Sequence, residues 1–206
     1  MVTYLDDQSE SKRLGILSAY NILDTPPEAD FDDLTQLAAQ ICETPMALIS
    51  LLDAKRQWFK SAVGLAISET PRSIAFCHYT IQSDTPLIVE DARLDQRFAA
   101  NPLVTREPHI RFYAGVPLVT ADGHRLGTIA VIDQVPRQLT AEQITALQIL
   151  SRQVMSQLEQ RRSHGELLQR EKYVQTVYYC QHWDFASQCG PSKRPGTAAG
   201  CGYFHV

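Results

Sequence analysis

The chain has 206 residues and a formal net charge of −4, a length that suits one domain of about 150 residues plus an extension. Acidic and basic residues are interspersed without a basic stripe, so no nucleic-acid partner is predicted. The N-terminus has no apolar signal core, and the mostly apolar stretch 46–52 is far short of a membrane span. These features predict a cytoplasmic protein without a membrane segment.

The cysteines bear on redox state and metal binding. Two of the five cysteines, Cys42 and Cys77, lie in the body of the chain, and the other three lie near its C-terminus. An odd number with this distribution gives little support to a disulfide framework, so reduced thiols are expected. The C-terminal cysteines and histidines match no zinc template in their spacing, and no metal site is predicted.

The first part of the chain predicts two helices and then a strand hairpin. Apolar residues recur at three- and four-residue spacing, and Pro26-Pro27 separates the two helices. A nearly all-apolar run follows, which is typical of a strand buried on both faces. The predicted helices cover about residues 9–20 and 28–42, and the predicted strands cover 46–52 and 57–63.

Shorter elements and a long loop are predicted next. Residues 73–81 follow Pro71 and predict a short helix, and residues 86–90 predict a short strand. Residues 91–108 are polar and contain two prolines. This composition is typical of a functional loop that carries one helical turn.

Residues 109–133 predict a β-hairpin. Alternation places Phe112, Ala114, Val116 and Leu118 on one face of its first strand, and Asp122-Gly123 tolerates the positive φ of a tight turn. Pro117 cannot donate to a strand ladder, so it is expected at a bulge or an unpaired edge position. Gly115 leaves room for another group to approach the backbone.

The last predicted element is a long helix. Thr140 and Gln143 have the spacing of a capping box, and the helix is expected to continue to about residue 168. Its apolar residues step by three or four, as a helical packing seam requires. The predicted seam consists of Ile144, Leu147, Leu150, Val154 and Leu158.

These elements predict an α+β fold, with an antiparallel sheet of about six strands and helices on one face. The expected division is an N-terminal helix and connector over residues 1–27, a core over 28–138, a long C-terminal helix over 139–168 and an irregular tail over 169–206. The tail contains prolines, glycines and aromatic residues without helical or strand periodicity.

Sequence motifs connect the chain to a known family. Residues 111–118 read RFYAGVPL and residues 126–133 read LGTIAVID. Further pieces precede them in order: ILDTPPE at 22–28, RQWFKS at 56–61, VGL at 63–65, ETPR at 69–72, FCH at 76–78, DQRF at 95–98 and NPLV at 101–104. Over about residues 10–162 this series resembles the GAF domain family, a GAF/PAS-like fold.

The resemblance implies a sensory or regulatory domain of bacterial signal transduction, in a subfamily found upstream of histidine kinase, diguanylate cyclase or PAS modules. Such a domain binds a small molecule noncovalently, or relays a conformational signal to an output module that this chain lacks. The resemblance implies that the helix over residues 139–168 is a signalling or dimer helix, so a homodimer is expected. A signalling output domain or a kinase of a two-component system is expected as a further partner. The chain has no phosphate loop, nucleophile elbow, kinase signature or cyclase signature, so it is not expected to be an enzyme.

The implied pocket lies on one face of the sheet, with residues 91–108 as a mobile lid. Arg111 is expected either to bind a ligand carboxylate or phosphate or to pair with Asp91 or Glu90 on the surface. Trp58 and Tyr113 are interpreted either as ligand-stacking groups or as packing. The candidate ligand-binding residues are Trp58, Phe76, Cys77, Tyr79, Asp91, Arg111 and Tyr113. The ligand is unknown, and no cofactor is predicted.

Cys77 has two interpretations. Near a helix start its thiol pKa would fall, making it a nucleophile or an attachment point; otherwise it is a small buried apolar residue, and His78 points to solvent. Free methionine sulfoxide reductases of the GAF type reduce the sulfoxide through a sulfenic acid that a second thiol resolves. One alternative function is therefore a reductase that uses Cys77, although Cys42 is poorly placed as the second thiol.

Two other ligand classes have family patterns of their own. Bilin-binding GAF domains attach a tetrapyrrole to a cysteine just before the Val-Pro strand, and residues 101–109 contain no cysteine. This speaks against a covalent bilin. The pattern of the family's cyclic-nucleotide binders is also absent. A ligand-free dimerisation module is the remaining alternative.

Overall fold

The computed structural model describes the backbone of residues 7–188 and the side chains of residues 8–178. These residues belong to two units, one ending at His164 and the other beginning at Gly165. The helices are α1 (Asp7–Ala19), α2 (Ala29–Cys42), α3 (Phe76–Thr80), α4 (Pro102–Thr105) and α5 (Ala141–Gln188). The strands are β1 (Met46–Leu52), β2 (Arg56–Val63), β3 (Glu69–Pro71), β4 (Leu87–Val89), β5 (Phe112–Val119) and β6 (Arg125–Asp133).

The strands of the first unit form one six-stranded sheet in the order β3-β2-β1-β6-β5-β4. Every neighbouring pair is antiparallel. The predicted α+β class and the six-stranded antiparallel sheet are therefore confirmed. Every residue of the central strand β1 is buried, as its apolar run predicted.

The two faces of the sheet carry separate apolar clusters. Phe112, Ala114, Val116 and Leu118 of β5 all lie in the cluster beneath α1, α2 and the start of α5, which confirms the predicted alternation. Tyr113 points the other way, into a second cluster that also includes residues of α3 and α4. The long helices thus cover one face, and the short helices and loops cover the other.

The hairpin of β5 and β6 has the predicted turn. Gly123 adopts φ 80°, the positive value that the turn requires. Pro117 pairs with Thr128 of β6 but lies beyond the end of β4, which reaches only to Gly115. The predicted unpaired edge position for Pro117 is confirmed. The space at Gly115 is filled by Tyr113, since a side chain at this position would clash with the Tyr113 hydroxyl group.

The start of α5 is a capping box, as predicted. The backbone N–H of Gln143 donates to Thr140 Oγ1 over 3.3 Å, and the backbone N–H of Thr140 donates to Gln143 Oε1 over 3.0 Å. The two side chains therefore satisfy donors that the first helical turn leaves unpaired.

The predicted dimer seam requires a correction. Leu147, Leu150, Val154 and Leu158 have exposures of 1%, 5%, 0% and 2% within the single chain, and all four belong to the cluster beneath the helices. Ile144 is half-buried. The helical spacing was correct, but the apolar stripe packs on the chain's own sheet. These four side chains are therefore not available to a second copy.

The predicted irregular tail also requires a correction. α5 continues to Gln188, so residues 169–188 are helical rather than irregular. That stretch contains neither proline nor glycine, the two residues that disfavour a helix most strongly, so nothing in it interrupts the helix. The rest of the predicted tail, 189–206, lies outside the described residues. Among the side chains of the second unit that the structure describes, the exposed large apolar residues are Leu167, Leu168, Tyr173, Val174 and Tyr178.

The short helix predicted over residues 73–81 is divided in two. A 3₁₀ turn covers Arg72–Ile74, and α3 follows it. Ala75 separates them because its backbone is extended, with φ −74° and ψ 126°. Among the described residues, no helix combines the length and the apolar character needed to cross a bilayer.

Candidate functional site

A narrow cleft lies between α3 and the sheet. Its cavity has a volume of about 40 Å³, which is room for one or a few water molecules. Leu103, Pro108 and Ile110, from the predicted loop and its end, form part of its wall. The lining residues are Leu48, Gln57, Phe59, Leu65, Ile67, Thr70, Phe76, Cys77, Leu103, Pro108, Ile110, Tyr113 and Ile132.

Polar groups converge on one sulfur atom at the floor of this cleft. Cys77 Sγ accepts hydrogen bonds from Thr128 Oγ1 at 2.9 Å, Gln57 Nε2 at 3.2 Å, Ser50 Oγ at 3.3 Å and the Tyr113 hydroxyl at 3.4 Å. The donors come from four different strands, β6, β2, β1 and β5. The cluster therefore fixes α3 to the middle of the sheet through one side chain.

The cluster is electrically neutral. Burial raises the pKa of the Cys77 thiol, and hydrogen bonds from Ser50, Thr128 and Tyr113 oppose this shift without cancelling it. Burial also raises the pKa of the Tyr113 phenol, and the adjacent Cys77 adds to that shift. Both groups are therefore protonated at pH 7, and the interpretation of Cys77 as an activated thiol is not supported by its surroundings.

One hydroxyl group in the cleft has no partner. Thr70 is 8% exposed, and its Oγ1 is fully buried without a hydrogen bond. Thr70 lies directly opposite Gln57 in the β2–β3 pair, and both side chains line the cleft. A buried hydroxyl without a partner costs about 1–3 kcal/mol, so the cleft contains a polar position that favours an incoming group.

Aromatic rings form one wall beside the cleft. Phe76 stacks on Phe98 with ring centroids 4.0 Å apart and lies 5.1 Å from Tyr113. Tyr79 meets Phe98 edge-on at 5.0 Å. Phe98 is completely buried, as is Ala92, so the segment predicted to be a mobile lid is anchored to α3 by apolar packing.

Three predicted residues, Phe76, Cys77 and Tyr113, line the cleft. Tyr79 does not line the cleft, but its ring contacts Phe98, which packs on Phe76. Trp58 lies elsewhere: it is 7% exposed and belongs to the cluster beneath the long helices. The assignment of Trp58 to the ligand face is wrong, because side chains alternate along β2 and its neighbours Gln57 and Phe59 face the cleft.

Arg111 and Asp91 do not line the cleft either. Arg111 Nη1 donates to the backbone carbonyls of Val104 and Ile110 over 2.8 and 3.1 Å. Asp91 forms an ion pair with Arg93 over 2.6 Å, not with Arg111. Arg111 therefore holds the end of α4 in place, and its assignment to the ligand cleft is corrected. Its charge still acts on Asp91, whose pKa is lowered mainly by the hydrogen bond from Arg93 and also by the charge of Arg111.

Asp91 lines a different, larger depression of about 690 Å³ that is open to solvent. Arg137 also lines it, and its guanidinium is already paired with the carboxylate of Asp133. Glu90 and Asp95 add acidic groups to the same surface. The residues that line the depression therefore present no free cation to an anionic ligand.

Four polar residues of the site were not predicted: Ser50, Gln57, Thr70 and Thr128. Ser50 and Thr128 were detectable, because each interrupts an otherwise apolar buried run, and buried polar groups require partners. Gln57 and Thr70 were not, since their convergence depends on the pairing of β2 with β3.

An ion-pair cluster formed by Lys60, Glu28 and Arg161 links the sheet to the helices. Lys60 of β2 has a fully buried side chain, and its ammonium lies 2.6 Å from the Glu28 carboxylate and 2.7 Å from the carbonyl oxygen of Pro26. Glu28 also accepts a hydrogen bond from Arg161 of α5 over 3.0 Å. The motif over residues 22–28 therefore joins β2 to α5.

The second cysteine described lies on the other side of the sheet. Cys42 belongs to the cluster beneath the long helices, and Cys77 belongs to the cluster around the cleft. Burial raises the pKa of Cys42 to about 11. Within the part of the chain that the structure describes, no three His, Cys, Asp or Glu side chains lie close enough to hold a metal ion.

Comparison with known proteins gives one relative and many similar structures. A cyclic di-GMP phosphodiesterase of Pseudomonas aeruginosa is 43% identical over 136 residues, which are 66% of this chain and 23% of the relative. The chain therefore spans less than a quarter of that relative's length.

Two solved structures illustrate the shared fold. The GAF domain of an Acinetobacter phosphoenolpyruvate-protein phosphotransferase has a TM-score of 0.54 at 19% identity, covering 79% of this chain and 97% of that one. The free methionine-R-sulfoxide reductase of Neisseria meningitidis, in complex with its substrate, has a TM-score of 0.55 at 14% identity, covering 80% and 99%. At these identities the likeness concerns the fold alone.

A family model identifies the family of this chain, in agreement with the six-stranded sheet and the ordered sequence motifs. The family model of the GAF domain matches residues 26–158, which is more than half of the chain. The chain therefore belongs to the GAF domain family.

Proposed function

We propose that this GAF domain is a sensory or regulatory domain that binds a small molecule noncovalently in the cleft beneath α3. The observation that carries the proposal is the mixed character of the cleft. Its walls are apolar and aromatic, and its floor holds a few fixed polar groups around Cys77. Such a combination is typical of ligand pockets, in which apolar area supplies affinity and a few polar groups supply orientation.

The position of β2 supports the transmission of a conformational signal from this cleft to α5. Gln57 and Phe59 of β2 face the cleft, whereas Lys60 on the opposite face reaches Glu28, which also binds Arg161 of α5. A ligand with different affinities for two positions of β2 would shift their populations, and α5 would respond through this ion-pair cluster.

The relative supports a place in signal transduction. Its name assigns it the hydrolysis of cyclic di-GMP, and the shared segment is only 23% of its length. The proposal for this chain is regulation of an output module, such as a cyclic-dinucleotide enzyme or a kinase, rather than catalysis. A cytoplasmic homodimer is part of the proposal, with the exposed apolar residues of α5 after residue 164 as its surface.

Native mass spectrometry of the purified chain, before and after denaturation, tests the proposal. A small-molecule adduct that disappears on denaturation is the expected result, and its mass identifies the ligand. An adduct that remains on a Cys77 peptide would contradict noncovalent binding and favour thiol chemistry. If the purified chain carries no adduct, even after incubation with cell extracts, the ligand-free dimerisation module is favoured.

A further inference from the structure

The cleft offers no ionised group to a ligand. Among its lining residues there is no Asp, Glu, Lys, Arg or His. The two titratable residues there, Cys77 and Tyr113, are 1% exposed and bind each other. Placing an ion in such surroundings without a counter-charge is costly, so phosphates, carboxylates and ammonium groups are excluded from its interior.

Thr70 offers one hydrogen bond that the protein itself does not use. The other polar groups of the floor already have partners: Gln57, Ser50 and Thr128 bind Cys77, and Tyr113 also binds Thr80 over 2.7 Å. Thr70 Oγ1 alone among the lining hydroxyl groups is buried without one. A ligand with a single donor or acceptor would match this arrangement.

The rim of the cleft sets the entry route. Ile67 follows β2 and is 47% exposed although it lines the cavity. Leu65 beside it is half-buried. Because the cavity is only about 40 Å³, a ligand larger than a few atoms enters by displacing these two partly exposed side chains, next to Thr70 on β3.

Resting on the noncovalent binding proposed above, we infer that the cleft takes a small, uncharged and mostly apolar molecule whose one hydrogen-bonding group is bound by Thr70. Thr70 is then the residue that determines specificity. The ligand class differs from cyclic nucleotides, whose phosphates would be buried here without a cation. The substrate named for the relative is therefore not the molecule that this cleft detects.

Three fluorinated probes of similar shape test the inference: 4-fluorophenol, fluorobenzene and 4-fluorobenzoate. Binding to the purified chain is followed by ¹⁹F NMR, and 4-fluorobenzoate is scored by its ability to displace 4-fluorophenol. We expect 4-fluorophenol to bind about fivefold more tightly than fluorobenzene, the effect of one neutral hydrogen bond of about 1 kcal/mol. We expect 4-fluorobenzoate not to compete.

Substitutions test whether the preference for 4-fluorophenol over fluorobenzene depends on the Thr70 hydroxyl. In Thr70→Val 4-fluorophenol should bind no more tightly than fluorobenzene, because its hydroxyl would have no partner, and Thr70→Ser should keep the fivefold preference. Thr35→Val is the matched control, because Thr35 is buried on α2 with its hydroxyl bound to the Phe31 carbonyl; it should change neither affinity.

The outcomes separate the two proposals. Competition by 4-fluorobenzoate would overturn the uncharged class while leaving the cleft as a binding site. A preference that persists in Thr70→Val would overturn the role of Thr70. If none of the three probes binds the unaltered chain, both the proposed function and this inference are wrong.

Discussion

Glu28 Oε1 lies 2.6 Å from the ammonium of Lys60, and this ion pair supplies the charged contact that joins β2 to the segment that precedes α2. The two partners differ in exposure, because the Lys60 side chain is fully buried whereas that of Glu28 is 36% exposed. Glu28 also has a second partner, Arg161. Loss of Glu28 would therefore leave a buried cation, but loss of Lys60 would leave a carboxylate that is still paired.

This asymmetry predicts unequal effects of substitution. Glu28→Gln should lower the free energy of unfolding by about 3 kcal/mol, and Lys60→Met should lower it by less. Urea unfolding at neutral pH, followed by circular dichroism, measures both. Asp33→Asn, an exposed change on α2, should stay within about 0.5 kcal/mol. A larger loss in Lys60→Met than in Glu28→Gln would contradict the asymmetry.

Glu10 should make stability depend on pH in the acid range. Burial would raise the pKa of its carboxyl group, but hydrogen bonds from Arg13 and Arg72 outweigh burial and hold the pKa at about 2, against 4.5 for an unperturbed glutamate. Since the folded pKa is the lower one, the carboxylate stabilises the fold above pH 4.5, and this contribution is lost as the pH falls from about 4.5 to 2.

Glu10→Gln should therefore lower the free energy of unfolding by about 2 kcal/mol at neutral pH, because Arg13 is buried and loses its ionic partner. The same substitution should flatten the dependence of that free energy on pH between 4.5 and 2. Urea titrations at a series of pH values measure both quantities. An unchanged slope in this window would show that Glu10 is not the titrating group.

Thr70→Val should stabilise the protein in the absence of ligand. The substitution removes a buried hydroxyl without a partner, so we expect a gain of about 1 kcal/mol in the free energy of unfolding. Thermal or urea unfolding of the two proteins without ligand measures it. A loss of similar size would mean that the hydroxyl is already satisfied in the folded protein.

Both cysteines of the first unit should be unreactive in the folded protein. Burial raises the pKa of Cys42 to about 11 and raises that of Cys77, so little thiolate is present near neutral pH. Iodoacetamide labelling at neutral pH, with peptides mapped by mass spectrometry, should modify these two residues only after denaturation. Rapid labelling of Cys77 in the folded protein would favour a thiol enzyme.

The apolar stripe of α5 should matter for folding rather than for association. Val154→Ala should cost about 1–2 kcal/mol, because Val154 is completely buried. Val174→Ala, at a position that is 63% exposed, should change stability by less than about 0.5 kcal/mol. Urea unfolding and light scattering distinguish the two effects. If Val154→Ala dissociated a dimer without loss of stability, the seam predicted from helical spacing would be correct.

Local patterns in the chain were sufficient for much of the fold. The all-apolar run of β1, the alternation along β5, the Asp122-Gly123 turn and the capping box at Thr140 each depend on residues that are near one another in sequence. For such features the local chemistry is the cause of the structure, so the sequence predicts them directly. The family match could likewise be inferred from the ordered motifs.

The functional assignments depended on which long-range contacts form. Helical spacing shows that Leu147 and Val154 share a stripe, but burial against the chain's own sheet, rather than a second copy, is a property of packing. In the same way Trp58 and Gln57 are neighbours in sequence, and only the orientation of β2 in the sheet decides which one enters the cleft. The sequence by itself determined the family, the order of the elements and the apolar faces. Tertiary structure decided the neutral cluster at Cys77 and the unpaired hydroxyl of Thr70, because both arise from strands that meet only after the sheet has assembled.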